Sequence, residues 1–309
     1  MGAPSALGQM MNSKGYALVT PAKNEAAFIE KTLASVVKQT VKPVKWVVVS
    51  DGSTDDTDAI VQRYAEQYDF VHLVRRDSET RHFGNKVHAF RAGYDTLGDV
   101  AYDFVGNLDA DIELPPDYYE RILERFVQNP KLGLAGGTRF DFCDGKFVKV
   151  HCARNSVGGP FQLFRRACYE AFGGYLPLQL GGIDAVAEIM VRQHGWQVQS
   201  FTDITCHHYR CTGTAKGSIY QAAFRGGKKL YVIGYHPLFE LVKLMRVRSV
   251  KGLVANMYEL AGYSQAALLR LKRQVPEEFV TYLRNEQKDR LKHLFMLKKD
   301  PAMVVDAAN

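Results

Sequence analysis

The first half of the chain alternates short apolar runs with longer segments in which apolar residues recur at helical spacing. The apolar runs predict four β-strands, at about residues 16–20, 46–49, 71–74 and 103–108. The intervening segments predict α-helices, because their apolar residues fall on one helical face. Repeated strand–helix–strand units of this length favour an α/β fold, with a mostly parallel sheet and helices on both faces.

The second half of the chain has a different pattern. Residues 132–137, 147–152 and 196–201 predict further strands, and residues 182–193 predict a helix. From about residue 218 the strand pattern fades, and long amphipathic helices with basic faces follow. We therefore predict an α/β domain over residues 1–217 and a basic helical extension over residues 218–309.

The composition is that of a folded globular protein, with 46% hydrophobic and 24% charged residues. The N-terminus lacks the pattern of a signal peptide, and no run approaches the roughly 20 apolar residues that span a bilayer. These features predict a cytoplasmic protein. The five cysteines are odd in number and form no C-x-x-C motif, which favours unpaired cysteines over a disulfide framework.

The net charge of +7 is concentrated after about residue 228. A basic surface can meet nucleic acid, anionic lipid or an anionic substrate. The sequence lacks the aromatic and basic signature of a nucleic-acid module, so we expect no nucleic-acid partner. Peripheral attachment to an anionic membrane surface and a homo-oligomer interface both stay open.

Polar clusters follow three of the predicted strands, at residues 20–25, 51–56 and 109–111. In an open α/β sheet, ligands bind outside the carboxyl ends of the strands. Carboxylates crowded there repel one another unless a cation or ligand lies between them. Asp109 and Asp111 are therefore predicted to hold Mg²⁺ or Mn²⁺, which would neutralise a pyrophosphate leaving group.

These clusters lie within longer motifs that resemble the inverting glycosyltransferases of family 2, which have the GT-A fold. Over residues 16–127 the matching text is VTPAKNEAAFIEKTLASVVKQT, VVVSDGSTDDT, GNKVHAFRAGY and NLDADIELPPDYYERI. The match continues more loosely to about residue 213 through GGPFQLFRRACYEAFGGY, GGIDAVAEIMVRQHGW and HHYRCTG. The resemblance implies a nucleotide-sugar half at about 14–127 and an acceptor half at about 128–217.

The resemblance also implies roles for individual residues. Asp51 would hydrogen-bond the nucleotide base, Asp109 would face the ribose and the metal, and Asp111 would ligate the metal directly. Lys86 would compensate phosphate charge. The residues implied to bind the nucleotide and its diphosphate are Thr20, Pro21, Asn24, Glu25, Asp51, Gly84, Asn85, Lys86 and Asp109.

Inverting transfer is a single displacement, so one carboxylate must accept the proton of the acceptor hydroxyl. In this family the base often lies in a Glu-Asp pair that follows a glycine. Here the text is Gly-Gly-Ile-Asp, with Ile183 in place of the glutamate, and Asp184 is predicted to be the base. Glu188, one helical turn later, is the alternative. Aspartate is also a favoured helix N-cap, so a capping role for Asp184 stays open.

A histidine after the last core strand completes the metal shell in several relatives, and imidazole suits Mn²⁺ better than Mg²⁺. His207 is the preferred candidate and His208 the alternative. Arg210 and Lys216 follow in a basic segment, and we expect them to cover the diphosphate as a flexible lid.

The implied function is sugar transfer from a UDP- or GDP-sugar to a sugar or lipid-linked acceptor. This would serve cell-envelope or exopolysaccharide synthesis at the inner face of the membrane. One alternative is a catalytically degenerate sugar-nucleotide-binding or scaffold protein, since Ile183 replaces the glutamate. A sugar nucleotidyltransferase is another, although the loop after the first strand has no glycine. The absence of G-x-G-x-x-G there disfavours a dinucleotide oxidoreductase.

Overall fold

The computed structural model describes residues 14–77, 83–98, 100–211, 218–244 and 250–299. The chain divides into two compact units, residues 1–212 and residues 213–309. In its described part, the first unit contains strands and helices, whereas the second contains helices. The domain boundary at residue 217, and the division of the first domain into two functional halves, stay predictions.

One mixed sheet organises the first unit. The strands along the described chain are β1 (Tyr16–Ala22), β2 (Lys45–Asp51), β3 (Val71–Arg76), β4 (Phe104–Asn107), β5 (Ile112–Glu113), β6 (Leu132–Cys143), β7 (Lys146–Lys149), β8 (Leu163–Arg165) and β9 (Gln197–His208). Their order across the sheet is β3-β2-β1-β4-β8-β6-β9-β5, with β7 paired to β6. The strands β3, β2, β1 and β4 are parallel neighbours, as are β6 and β9, and β8 runs antiparallel between β4 and β6.

Helices alternate with the first strands, as the hydrophobic pattern predicted. They are α1 (Ile29–Val37), α2 (Thr57–Gln67), α3 (Phe83–Asp95), α4 (Tyr118–Gln128), α5 (Arg166–Ala171) and α6 (Ile183–Gln193). Trp46 and Val47, which are successive residues of β2, have no exposed surface. Because successive side chains of a strand point to opposite faces, both faces of β2 are covered. The predicted α/β fold class is confirmed.

Close packing of α3 on the sheet depends on Gly93. A Cβ atom at this position would lie 2.6 Å from Cγ1 of Val19 in β1 and 2.8 Å from Cγ2 of Val49 in β2. Such distances are too short for real side chains, so glycine allows the helix to lie directly on β1 and β2, two of the three strands that polar clusters follow.

The strand β9 continues to His208, beyond the predicted end at residue 201. It pairs with β6 in parallel, so the ends of the two strands lie side by side. There, Cys143 and Cys211 form a disulfide with their Cα atoms 5.0 Å apart. The expectation of unpaired cysteines is therefore wrong for this pair, because parallel pairing joins two residues that are distant in the sequence.

Four helices are described in the second unit. They are α7 (Ile219–Ile233), α8 (Pro237–Leu244), α9 (Val250–Leu268) and α10 (Glu277–Lys299). Helices α7 and α9 cross at Gly227 and Gly262, where a Cβ atom would overlap the backbone carbonyl of Glu259 or of Phe224, respectively. No helix in the described part of the chain is both long and apolar enough to cross a membrane.

The crossing of α7 and α9 predicts a strong effect of Gly262→Ala. In an exposed helix this change would stabilise by up to about 1 kcal/mol. Here the added methyl meets the Phe224 carbonyl, and we expect a net loss of about 1–3 kcal/mol in the free energy of unfolding. Urea denaturation followed by circular dichroism measures this change in the free energy of unfolding. Ala261→Ser, at the exposed neighbouring position, is the control. Unchanged or increased stability of Gly262→Ala would contradict the close crossing.

Candidate functional site

The loops after β1 and β2 meet, as expected for the carboxyl ends of neighbouring parallel strands. Asn24 accepts a hydrogen bond from the Thr54 backbone N–H at 2.8 Å, and its own N–H donates to Ser53 Oγ at 3.2 Å. The Asn24 backbone is left-handed, with φ of 57°, a conformation that asparagine tolerates better than most residues. Asn24 therefore shapes the rim by joining the two loops.

Two residues predicted to contact the nucleotide have partners within the protein. Thr20 has no exposed surface, and its hydroxyl accepts the indole N–H of Trp46 at 2.9 Å. This burial argues against direct ligand contact by Thr20, which instead supports the sheet beneath the rim. Asp51 lies at the end of β2, where its Oδ1 is 3.2 Å from Nη1 of Arg76 in β3.

The first carboxylate of the acidic pair is bound from two sides. Oδ1 of Asp109 is 2.5 Å from Lys86 Nζ and 3.0 Å from Asn107 Nδ2. Gly84, Asn85 and Lys86 belong to the first turn of α3. Lys86 thus already compensates negative charge at the position where the resemblance implies a diphosphate.

The second carboxylate has different partners. Asp111 is buried, and its Oδ2 lies 2.9 Å from Arg210 Nη1 and 3.3 Å from His208 Nε2. Burial alone would raise the pKa of Asp111. The hydrogen bond and positive charge of His208, and the charges of Arg210 and Lys86, outweigh burial and hold the pKa below its usual value.

Arg210 joins Asp111 to the loop after β1. Its Nη1 is 2.9 Å from Oε1 of Glu25, and its Nη2 is 2.5 Å from Oε2. The guanidinium also lies over the Phe28 ring, 4.9 Å from its centroid. Burial raises the pKa of Glu25 in spite of this two-point pairing with Arg210. A single side chain after β9 thus neutralises acidic groups from two other segments.

The preference for His207 over His208 is not supported by the geometry. Neighbouring residues of β9 point to opposite sides, and it is His208 that faces Asp111. The exposed His207 stacks on Phe147, with ring centroids 4.1 Å apart. The sequence could not separate the two because the predicted strand ended too early. Lys216, the other predicted lid residue, lies outside the described residues.

A further carboxylate orients the inward-facing histidine. Nδ1 of His208 is 2.9 Å from Oδ1 of Asp141 in β6, and Asp141 is itself paired with Arg139. Burial lowers the pKa of His208, but Asp111 and Asp141 outweigh it, so the pKa lies above its usual value. With a proton on Nδ1 donated to Asp141, Nε2 would be free to ligate a cation, an arrangement seen in many metal sites.

These donors fit a divalent cation that is also bound by a substrate. Within the described ranges, no three His, Cys, Asp or Glu side chains are grouped closely enough to hold a metal by themselves. Asp111 and His208 provide one carboxylate oxygen and one imidazole nitrogen, which suit Mn²⁺. Cations at phosphate-transfer sites often have only one or two protein ligands, with phosphate oxygens and water completing the shell.

Asp184 lies in the first turn of α6, which begins at Ile183. The N-cap is Gly182, with φ of 85°, so the interpretation of Asp184 as the N-cap is wrong. The Asp184 carboxylate packs against Gly159, where a Cβ atom would lie only 2.8 Å from Oδ2. A cavity of about 260 Å³ is lined by Asp184, Glu188 and Gly159, among other residues.

Glu188 is buried on the same helix. Its Oε1 accepts hydrogen bonds from the Ser156 hydroxyl at 3.0 Å and the Val157 backbone N–H at 2.7 Å. Burial is the main cause that raises the pKa of Glu188 to about 7; these hydrogen bonds and Arg192 oppose it, whereas Asp184 adds to it. The alternative base is thus engaged in bonds to the neighbouring segment.

Sequence reasoning missed Asn107, Asp141 and the segment around Gly159. Asn107 lies two residues before Asp109, and this spacing on a strand could have identified it as a neighbour on the same face. Asp141 carries no comparable signal, because its role depends on the pairing of β6 with β9.

Comparisons with known proteins identify the family and agree with the fold. A sequence profile described as Glycosyl transferase family 2 matches residues 17–179, slightly more than half of the chain. The poly-beta-1,6-N-acetyl-D-glucosamine synthase of Staphylococcus epidermidis is 28% identical over 179 residues, which cover 52% of this chain and 42% of that protein. The synthase of the same name from Staphylococcus aureus strain COL is 27% identical over 124 residues, covering 40% of this chain and 28% of that protein. The chain thus matches less than half the length of these curated relatives.

Solved structures of similar fold include the mannosyltransferase PcManGT from Pyrobaculum calidifontis in complex with GDP-Man and Mn²⁺. It has 17% identity and a TM-score of 0.53, covering 93% of this chain and 81% of that one. Staphylococcus aureus TarS 1–349 in complex with UDP has 16% identity and a TM-score of 0.52, covering 81% of this chain and 70% of that one. At these identities the likeness shows the fold alone, and it confirms the GT-A fold.

The raised pKa of Glu188 predicts a pH-dependent effect of Glu188→Gln on stability. The folded protein prefers the neutral carboxyl, whose pKa is about 7 against the usual 4.5 of a glutamate side chain. The contribution of Glu188 to the free energy of unfolding therefore falls as pH rises from about 4.5 to 7, by up to about 3 kcal/mol. Glutamine keeps an acceptor oxygen but cannot ionise, so we expect Glu188→Gln to be more stable than wild type at pH 8 and similar at pH 4.5. Thermal unfolding across this range measures the difference.

The exposed substitution Glu66→Gln controls for the removal of one surface charge. A stability difference between Glu188→Gln and wild type that is constant with pH would show that Glu188 does not resist ionisation in the folded protein.

Proposed function

The chain belongs to glycosyl transferase family 2, and from this membership we propose that it transfers a sugar, with inversion, from a UDP- or GDP-sugar to an acceptor hydroxyl. The proposal rests on the juxtaposition of the acidic pair with Asp184. The Asp109 N–H donates to the Pro160 carbonyl at 2.8 Å, and Asp184 packs against neighbouring Gly159. A candidate diphosphate site and a candidate base thus lie on either side of one short segment.

The donor end requires compensation of the diphosphate charge. Asp111 and His208 would hold Mn²⁺ or Mg²⁺ together with phosphate oxygens. When bound, the cation would stabilise the nucleoside diphosphate as it leaves. Lys86 and Arg210 supply positive side chains at the same place. When the donor binds, Arg210 would release a carboxylate and pair with a phosphate instead. Guanidinium groups bind both with comparable two-point geometry.

The nucleotide itself would lie over the loops after β1 and β2. Pro21 lies near the end of β1, and Asn24 and Glu25 lie in the loop after it. Asp51, at the end of β2, would accept an N–H of the base. Gly84 and Asn85, at the start of α3, would contact the diphosphate through helix N–H groups. We do not include Thr20 among the proposed nucleotide-binding residues, because its hydroxyl is hydrogen-bonded to the Trp46 indole.

The acceptor end has Asp184 as the proposed base. In the displacement, the acceptor oxygen bonds to the anomeric carbon while the bond to the diphosphate oxygen breaks. The acceptor proton passes to the Asp184 carboxylate. The cavity of about 260 Å³ beside Asp184 gives an acceptor hydroxyl room to approach. Because the curated relatives in the comparison are polysaccharide synthases, the proposed context is cell-envelope or exopolysaccharide synthesis, with a sugar or lipid-linked acceptor.

Helix α9 supports attachment to the inner face of an anionic membrane. One stripe of α9 contains the exposed, uncharged residues Leu253, Met257, Ala261, Ser264 and Leu268. These positions recur at helical spacing and cover nearly the whole helix. This stripe is apolar except at Ser264, and such a surface suits burial at the boundary between headgroups and acyl chains.

The charge of the second unit favours lipid over self-association. Over its described residues, Lys and Arg outnumber Asp and Glu by more than two to one. Two copies of such a surface would repel each other, whereas anionic headgroups would attract it. Leu268 is 84% exposed and Leu269 is 64% exposed, and they lie immediately before Arg270. Apolar and basic groups therefore alternate where α9 ends.

A catalytically degenerate sugar-nucleotide-binding protein is the second candidate. It is favoured by Ile183, which replaces the glutamate of the family pattern before Asp184. Transfer activity separates the two functions, because both would bind the donor. A nucleotidyltransferase has no comparable support, since it would need a glycine-rich phosphate loop after β1. In this chain the loop instead contains Asn24, which hydrogen-bonds to the loop after β2.

Substitutions of the two carboxylates should affect donor binding and transfer separately. We expect Asp111→Ala to lose the Mn²⁺-dependent rise in melting temperature with UDP- or GDP-sugars, because a ligand raises stability only if it binds the folded state. We expect Asp184→Asn to keep this rise but lose transfer by about 10²-fold or more. A thermal-shift screen of UDP-, GDP- and dTDP-sugars with and without Mn²⁺, followed by turnover of the selected donor, measures both.

The histidine pair is the matched control for the metal. His208→Ala should behave like Asp111→Ala, whereas His207→Ala should keep the Mn²⁺ effect, because His207 stacks on Phe147 away from the site. Transfer by Asp184→Asn at the wild-type rate would remove the base assignment. Donor binding without turnover of any donor by wild type would favour the degenerate protein.

The α9 stripe predicts preferential binding to anionic vesicles. Wild type should co-sediment with vesicles containing phosphatidylglycerol at least about fivefold more than with pure phosphatidylcholine, with the difference shrinking at high salt. Met257→Glu should reduce binding, because it places a charge in the apolar stripe. Gln62→Glu, which adds the same charge at an exposed site on α2, should not. Equal sedimentation with both lipids, or a concentration-dependent dimer that Met257→Glu abolishes, would contradict the membrane assignment.

A further inference from the structure

Glu188 is a buried carboxylate with no part in the chemistry proposed above. It is 7% exposed and lies one helical turn after Asp184. A buried ionisable side chain is costly unless it makes hydrogen bonds that the fold needs. The Oε1 atom of Glu188 accepts hydrogen bonds from the Ser156 hydroxyl and the Val157 backbone N–H. These bonds tie helix α6 to the beginning of the segment that leads to Gly159.

The other end of this segment is tied to the acidic pair. Asn107 Nδ2 donates to the Gly159 carbonyl at 2.8 Å and also to Asp109 Oδ1 at 3.0 Å. The Asp109 N–H donates to the Pro160 carbonyl at 2.8 Å. Residues 156–160, here called the bridging segment, therefore connect helix α6 with the end of strand β4.

The bridging segment also limits where the Asp184 carboxylate can lie. At Gly159 a Cβ atom would be 2.8 Å from Asp184 Oδ2 and 3.0 Å from its Cβ. The backbone of the segment therefore forms the wall against which the side chain rests. A shift of this wall would move the carboxylate, and reacting groups must be held to within about 0.5 Å for efficient displacement.

We propose that Glu188 is a positioning residue: it anchors the bridging segment to helix α6 and thereby fixes the Asp184 carboxylate relative to the donor site. This inference rests on the proposed function for its catalytic consequence, but the contact itself can be tested without activity. The anchor requires an acceptor oxygen at this position and does not require a negative charge. Glutamine should therefore replace glutamate, and alanine should not.

The contact is tested by hydrogen–deuterium exchange of the Val157 amide. We expect this amide to be protected in wild type and in Glu188→Gln. In Glu188→Ala it should exchange at least about tenfold faster, because its acceptor is gone and the bond no longer opposes opening. Equal exchange in all three proteins would overturn the anchoring role whatever the enzyme activity.

The catalytic consequence is tested by separating kcat from nucleotide binding. The donor is the one selected by the thermal-shift screen, and affinity is measured with UDP or GDP in the presence of Mn²⁺. We expect Glu188→Ala to lower kcat by about 30-fold or more while nucleotide affinity stays within about twofold of wild type. Glu188→Gln should restore kcat to within about threefold. A Glu188→Gln protein as slow as Glu188→Ala would show that the carboxylate itself acts, and wild-type kcat in Glu188→Ala would show that the anchor is not needed.

Gly159→Ala provides a second variant that leaves Glu188 intact, in case Glu188→Ala does not fold. The added methyl would push directly on the Asp184 carboxylate, so kcat should fall with nucleotide affinity unchanged. Wild-type kcat in Gly159→Ala would overturn the link between the segment and Asp184. Failure of the proposed function would look different, because wild type itself would then turn over no donor while Val157 exchange would still respond to Glu188→Ala.

Discussion

The site depends on the sharing of the Asp111 carboxylate between Arg210 and His208. Glu25, Asp109 and Asp111 are acidic groups at one rim of the sheet, and such groups raise one another's energy when they are not compensated. Asp109 pairs with Lys86 of α3, and Asp111 pairs with His208 of β9. Arg210, two residues after the end of β9, pairs with both Glu25 and Asp111. The strand order β1-β4-β8-β6-β9-β5 makes this possible, because β5 and β9 pair beside the acidic pair. The fold thus gathers the compensating charges as well as the carboxylates.

Much of the first unit could be predicted from the sequence because its signals are local. Apolar runs marked β1 to β4, and their alternation with helices implied that the ends of β1, β2 and β4 would meet at one rim. Hydrogen bonds between Asn24 and the Ser53–Thr54 loop bear this out for β1 and β2. The position of the acidic pair followed from one strand and the turn after it. The α/β class and the family followed from the same residues, and both are confirmed.

The features that sequence reasoning missed depend on pairing between distant strands. The choice of His208 over His207 follows from the register of β9 against β5 and β6, which sets the side that each histidine faces. The same pairing brings Cys143 to Cys211. The resemblance implied that Thr20 binds the nucleotide, yet its hydroxyl accepts a hydrogen bond from the Trp46 indole in the adjacent strand. In each case the deciding contact joins residues that no local pattern relates.

The balance of charge around Asp111 bears on how donor and cation would enter the site. A diphosphate arriving alone would face Glu25, Asp109 and Asp111, and a divalent cation arriving alone would face Lys86 and Arg210. Either one would upset a compensated site. Together they would add little net charge. A bound cation would replace Arg210 as the partner of Asp111, and the released guanidinium would then pair with the phosphates. On the proposed function, the ion pairs seen in this structure therefore favour joint binding of nucleotide and metal over separate binding of either.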